Sequence, residues 1–118
     1  MKSNMSNGRF TLVLTEEASD FLDALPASAR DKVENNILRI QMGERNVELF
    51  KKLEGTEIWE FRTLYNKIAY RLFAFWDTEE NTLVIATHGI IKKTQKTPAK
   101  EIAKAERIRK EYFNSKGE

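Results

Sequence analysis

The sequence has 118 residues, of which 41% are hydrophobic and 10% aromatic, a size and composition that predict one globular domain with one core. No apolar run is long enough to cross a bilayer, and the start lacks the apolar segment of a signal peptide. The absence of cysteine excludes disulfides, thiolate metal sites and cysteine nucleophiles. Together these observations favour a cytoplasmic protein. Residues 1–88 carry a net charge of −3 and residues 89–118 one of +5, a pattern that indicates either a polyanionic or acidic protein partner or simply a solvated basic helix.

The N-terminal part predicts a strand followed by two helices. Residues 1–8 are interpreted as a flexible leader to a single domain over residues 9–118. Hydrophobic residues alternate along residues 9–15, which is typical of a strand. A helix over residues 16–25 follows, with Thr15 as its N-cap and acidic residues in its first turn.

A second helix is predicted over residues 29–42. Ser28 is the candidate capping residue, and apolar side chains recur at i, i+4 and i+7. Gly43 is well placed to end the helix. These two helices are expected to form a helical hairpin that covers one face of a sheet.

The second half of the chain predicts three strands and a helix. The strands cover residues 57–64, 67–76 and 82–88, and the short turns between them indicate antiparallel hairpins. Residues 47–53 are ambiguous, with room for a short extended piece. The last helix runs from Pro98 to about residue 113, with Thr97 as its N-cap and Pro98 in the first helical position.

This order of elements predicts an α+β fold. We expect a mainly antiparallel sheet of about four strands, with the helical hairpin on one face and a C-terminal helix. Alternation along the strands assigns four side chains to the hairpin face: Trp59, Phe61, Tyr70 and Leu72. His88 shares parity with Val84 and Ala86, and is expected at a strand end where the chain turns at Gly89.

Glu60, Arg62 and Arg71 then project from the opposite face of the sheet. A guanidinium stays charged at any ordinary pH, so arginines repeated on neighbouring strands suggest a surface that receives phosphate. Convergence of both arginines with His88 and Lys93 on one concave face would support this interpretation. Alternatively, the arginines form ordinary cross-strand ion pairs with Glu60, and the lysines only solubilise a loop.

Several short motifs carry a resemblance to a known family. They are Leu53-Glu54-Gly55, Ile58-Trp59-Glu60-Phe61-Arg62, Tyr70-Arg71, His88-Gly89, Lys92-Lys93-Thr94-Gln95-Lys96-Thr97-Pro98, and Glu101, Ala105 and Arg109 of the last helix. In these motifs the chain resembles the RelE/ParE toxin superfamily of type II toxin–antitoxin systems, and within it the phage-derived, HigB-like branch. The resemblance implies a RelE-like fold and a toxin that cuts mRNA in the ribosomal A site. It also implies silencing by a cognate antitoxin, in this branch often a helix-turn-helix, HigA-like repressor.

The resemblance also implies roles for particular residues. Arg71 would bind the scissile phosphate and Arg62 would support it, while Lys93 would add a third charge or protonate the leaving oxygen. Apart from the resemblance, the ordinary pKa of a histidine, about 6.5, suits His88 to act as general base or acid, and Glu60 is a second candidate base. Contacts to ribosomal RNA would come from basic residues around the last helix, namely Lys92, Lys96, Lys100, Lys104, Arg107 and Lys110. No metal, small-molecule cofactor or membrane is expected to take part.

Two rival functions stay open at this stage. ParE-like members of the superfamily poison DNA gyrase without catalysis, and they typically lack the full set of cations and histidine. The second rival is a non-catalytic module that binds an antitoxin or nucleic acid through its basic surface.

Overall fold

The computed structural model describes residues 3–5, 9–80, 82–93 and 96–117. The elements in chain order are β1 (Ser3–Met5), β2 (Thr11–Leu14), α1 (Glu16–Asp23), α2 (Ala27–Gln41), β3 (Phe50–Lys52), β4 (Trp59–Tyr65), β5 (Ile68–Trp76), β6 (Leu83–Lys92) and α3 (Ala99–Lys116). None of the helices in these ranges is long and apolar enough to cross a membrane.

The strands of the described ranges form one sheet in the order β1-β2-β6-β5-β4-β3. Only β2 and β6 are parallel, and all other neighbours are antiparallel. The α+β class is confirmed, with two strands more than the expected four. The extra strands are short edge strands: β3 lies within the ambiguous residues 47–53, and β1 lies within the segment interpreted as a leader. Residues 1–2 and 6–8 of that segment lie outside the described residues, so the division into leader and domain stays a prediction.

The first helix begins as the sequence indicates, whereas the second begins earlier. Thr15 Oγ1 accepts a hydrogen bond from the Ala18 amide at 3.1 Å, which confirms the predicted N-cap. Ser28 is not a cap, because α2 already begins at Ala27 after Pro26. Gly43 ends this helix with a φ of +104°, a left-handed conformation that glycine adopts without steric cost.

Helices α1 and α2 cover the predicted face of the sheet. Phe61, Tyr70 and Leu72 are buried against residues of both helices, as the alternation indicates. Trp59 points to the same side but stays partly exposed, and its ring stacks on Phe50 of β3 with centroids 4.6 Å apart. The face predictions for β4 and β5 are therefore confirmed.

Strand β6 differs most from its prediction. It continues four residues past the expected end to Lys92, so Gly89 is not a turn. A Cβ atom on Gly89 would lie 2.2 Å from the Phe21 ring of α1, which explains the glycine. A bulge also interrupts the pairing of β5 and β6, since Phe73 pairs with His88 and the next residue, Ala74, with Ala86. The extra residue turns His88 away from the face of Ala86, so the predicted shared parity is wrong.

Helix α3 packs on the other face of the sheet. Its Ala105 joins a second core with Phe73, Phe75 and Ile85. Pro98 is the residue that precedes the helix, and Thr97 is not the N-cap, because its side chain bonds to β4 instead.

A cluster around Asp77 fixes the C-terminal end of α3 to the β5–β6 turn. Asp77 accepts hydrogen bonds from Tyr112 at 2.7 Å and from Lys116 at 2.6 Å. Although burial opposes ionisation, these donors and the amides of Glu79 and Glu80 lower the pKa of Asp77 to about 2. The carboxylate therefore stays charged and holds the helix in place.

Candidate functional site: a cationic cleft

An open cleft of about 570 Å³ lies over one end of strands β4, β5 and β6. Five basic residues line it, and together they define the cationic cleft: Arg62, Lys67, Arg71, Lys92 and Lys93. Glu48, Thr63, Leu64 and Ala69 complete the lining. Such a surface is suited to an anion with several oxygens.

Strand register brings the two arginines together. Arg62 of β4 pairs directly with Arg71 of β5, so both side chains project from one face of the sheet. Like charges directly opposite one another destabilise a sheet unless a counter-charge is near. The predicted convergence of Arg62 and Arg71 is therefore seen in the structure.

Glu60 supplies that counter-charge. It is 2% exposed, and its Oε1 lies 3.7 Å from the Nε atoms of both Arg62 and Arg71. Its Oε2 accepts a hydrogen bond of 2.6 Å from the hydroxyl of Thr97. One buried carboxylate thus balances two guanidinium groups and also contacts the segment that precedes α3.

The two guanidinium groups keep unused donors. The Nε atoms of Arg62 and Arg71 are buried and have no hydrogen-bond partner among the described residues. Their Nη1 atoms donate to backbone carbonyls, Arg71 to Tyr70 at 3.1 Å and Arg62 to Val47 at 3.3 Å. Buried polar groups are normally satisfied, so donors left unpaired in a cleft indicate a ligand site.

Lys92 lies inside the cleft and is only 9% exposed. Burial, followed by the charge of Arg71, lowers the pKa of Lys92. Burial and the neighbouring Arg62 likewise lower the pKa of Arg71, while Glu60 opposes the shift. Lys93 is exposed at the same site. Lys92 was expected among the surface contacts to RNA, but its place is beside the arginines.

The structure does not bring His88 into the cleft. His88 is 1% exposed under α3, and its ring packs at a tilt of 30° against Phe73 with centroids 4.9 Å apart. Nδ1 lies 2.9 Å from the Thr87 hydroxyl and Nε2 lies 3.1 Å from Glu101 Oε1. Burial is the main cause that lowers the pKa of His88, against the opposing effect of Glu101.

The basic residues around α3 fall into two groups. Lys96, Lys100 and Lys110 are exposed. Lys104 forms an ion pair with Glu17 of α1, and Arg107 forms one with Glu111 at 4.0 Å on the same helix. Lys104 therefore links two elements of the fold as well as adding to the positive charge.

Sequence reasoning missed two residues of this site. Lys67 enters the cleft from the β4–β5 turn, where Asn66 and Lys67 have φ angles of +50° and +65°. The Asn-Lys pair between two strands was a signal for such a two-residue turn. Thr97 was assigned to a helix cap, and no local pattern shows its contact with a residue 37 positions away. Thr94 and Gln95 of the motif lie outside the described residues.

Within the described ranges, no group of three His, Asp or Glu side chains is arranged to hold a metal ion.

The sequence profile of one protein family, described as "Phage derived protein Gp49-like (DUF891)", matches residues 20–110. The chain belongs to this Gp49-like family. None of the curated protein sequences matches this Gp49-like chain.

A RelE toxin and a RelBE2 complex are among the solved structures that match this Gp49-like protein. A double arginine-to-alanine mutant of the E. coli toxin RelE in the free state has 17% identity and a TM-score of 0.61, covering 85% of this chain and 96% of its own. The toxin–antitoxin complex RelBE2 of Mycobacterium tuberculosis has 18% identity and a TM-score of 0.48, covering 74% of this chain and 95% of its own. The first comparison confirms the RelE-like fold that the resemblance implied.

Proposed function

We propose that this Gp49-like protein is the toxin of a type II toxin–antitoxin system and that it cleaves translated mRNA on the ribosome. The observation that carries the proposal is the pairing of Arg62 and Arg71, whose buried Nε donors have no hydrogen-bond partner among the described residues. The RelE-like fold and the Gp49-like family support the same conclusion.

The reaction needs stabilisation of negative charge at phosphorus. The 2′-oxygen of RNA loses its proton and bonds to the adjacent phosphorus, the bond from phosphorus to the 5′-oxygen breaks, and the 5′-oxygen gains a proton. Charge accumulates on the phosphoryl oxygens in the transition state, where fixed cations lower the barrier. Arg71 would bind these oxygens, and Arg62 would support the same phosphate or its neighbour.

The proton transfers fall to the remaining groups of the cleft. Lys93 is exposed at its edge and would protonate the 5′-oxygen, or add a third positive charge. Glu60 lies between two guanidinium groups and accepts a hydrogen bond from the Thr97 hydroxyl. This position suits a counter-charge for the arginines better than a general base. His88 is closed off beneath α3, so an acid–base role would require this helix to move.

The proposed partners follow from this activity. The ribosome and mRNA would bind the cationic cleft and the exposed lysines, Lys96, Lys100 and Lys110. A cognate, HigA-like antitoxin with a helix-turn-helix would silence the toxin. All these partners would meet the protein in the cytoplasm.

Inducible expression with mapping of mRNA 5′ ends tests the proposal. Wild-type protein should stop growth and produce cuts at codons of translated mRNA. Arg71→Ala removes one charge stabiliser and should lower the cleavage rate about 10²–10³-fold. Arg30→Ala is the matched control, because Arg30 is a partly exposed arginine of α2 on the other face of the sheet.

Two outcomes would contradict the proposal. DNA damage without mRNA cuts would indicate a gyrase poison. Undiminished toxicity of a folded Arg71→Ala variant would indicate a protein that acts by binding alone.

A further inference from the structure

Glu60 has an unusual position for a residue that faces two cations. Its Oε1 is 3.7 Å from both Arg62 Nε and Arg71 Nε, near enough for attraction but too far for a hydrogen bond. Both Nε atoms are left without a hydrogen-bond partner among the described residues, although the Glu60 side chain lies beside them. Some other contact must therefore hold the carboxylate back.

Thr97 provides that contact. Its hydroxyl donates to Glu60 Oε2 at 2.6 Å, from a segment that enters α3 two residues later. The following Pro98 limits Thr97 to extended conformations, which keeps the hydroxyl in place. The hydrogen bond thus joins the segment that precedes α3 to a buried residue of β4.

We propose that Thr97 is a positioning residue, whose hydroxyl holds Glu60 where it balances the charge of Arg62 and Arg71 without occupying their Nε donors. Because neither Nε atom is bonded to Glu60, an RNA phosphate in the cleft can draw the guanidinium groups towards itself and expose these donors, which are buried in the unbound protein. The inference rests on the proposed function, because it assigns the cleft to RNA phosphate.

Removing the hydroxyl should turn Glu60 into a competitor of the phosphate. In Thr97→Val, Oε2 loses its donor, and two buried Nε atoms without a hydrogen-bond partner among the described residues lie 3.7 Å from the other oxygen of the same carboxylate. The carboxylate would then move onto the arginines and form the charge-assisted bonds that a phosphate needs. Thr97→Ser keeps a hydroxyl and should preserve the original arrangement.

The experiment measures RNA affinity separately from catalysis. Binding of a short 2′-O-methyl RNA, which lacks the attacking hydroxyl, is titrated with the full-length protein and its folded variants. Thr97→Val should bind the RNA roughly tenfold more weakly, which corresponds to a loss of about 1.4 kcal/mol in binding free energy. Thr97→Ser should bind it like the wild type. The arginine Nε–H signals in ¹H–¹⁵N spectra should shift in Thr97→Val and return in Thr97→Ser.

A double-variant comparison tests whether Glu60 carries the effect. In a Glu60→Gln background the competing charge is gone, so Thr97→Val should cause no further loss of affinity. Equal affinity and unchanged Nε–H signals in Thr97→Val would overturn the inference, as would failure of Thr97→Ser to restore them.

The same titration separates failure of this inference from failure of the proposed function. If Arg71→Ala weakens RNA binding and Thr97→Val does not, the cleft still binds RNA and only the role of Thr97 is wrong. An RNA that binds neither wild type nor Arg71→Ala would overturn both.

Discussion

At the residue scale, one histidine shows how burial can reverse an expectation. His88 has the residue type and neighbours of a catalytic base, yet its ring is enclosed by Phe73, Thr87 and α3. Because Nε2 faces a carboxylate and Nδ1 faces a hydroxyl, the neutral ring satisfies both contacts when Nε2 carries the proton. The role that this geometry supports is to hold α3 against β6.

The protonation of His88 should make the protein less stable in acid. Burial lowers its pKa below the unfolded value of about 6.5, so the neutral form is favoured in the folded state. Its contribution is fully present above that pH and is lost as the pH falls towards the folded pKa. Among the charges near the ring, Lys104 also lowers the pKa of His88, whereas Glu101 and Glu17 raise it without reversing the effect of burial.

Chemical denaturation of wild type and His88→Gln between pH 5 and pH 7.5 checks this effect. The chain has one histidine, so the difference between the two proteins isolates its titration. The wild type should lose more stability on acidification, with a slope of at most about 1.4 kcal/mol per pH unit. Parallel pH profiles would show that His88 does not titrate in this way.

At the element scale, alternation and turn signals predicted the helices, the antiparallel hairpins and the faces of β4 and β5. What they missed depends on contacts between distant residues. Gly89 suggested a turn, whereas it is a strand residue that makes room for Phe21. The bulge next to His88 changed its face, and the Thr97–Glu60 bond joins residues with no local relation. Parity along one strand carries no information about such events.

The β4–β5 turn should show a trade between stability and binding. Lys67 has a left-handed φ of +65°. This backbone conformation costs a residue with a side chain about 1–2 kcal/mol, whereas glycine adopts it without that cost. Lys67→Gly relieves that strain and should raise the free energy of unfolding by up to about 1 kcal/mol. It also removes a cation of the cleft, so RNA affinity should fall.

Lys67→Ala separates the two effects, because it removes the charge but keeps the strained conformation. It should lose RNA affinity like Lys67→Gly without the gain in stability. Thermal unfolding and RNA titration of both variants check the prediction, and equal stability of the two would contradict the strain argument.

At the scale of the whole molecule, positive charge is concentrated in the last 30 residues, where residues 89–118 carry a net +5. Exposed Lys100 and Lys110 belong to this region, while Lys104 is paired with Glu17. Contacts of such lysines with ribosomal phosphates would add affinity without sequence preference and would weaken steeply with salt. Reversing Lys104 would set two carboxylates against each other, so stability should fall and obscure a binding test.

The double reversal Lys100→Glu and Lys110→Glu should therefore weaken co-sedimentation with ribosomes while the melting temperature stays close to that of the wild type. Loss of phosphate contacts should also make the remaining binding less sensitive to salt. Lys32→Glu with Arg45→Glu is the matched control, because both residues are exposed in the acidic part of the chain and the net charge changes equally. If the control reduced binding as much as the α3 reversals, total charge rather than this surface would determine ribosome affinity, and unchanged sedimentation of both would remove α3 from the interface.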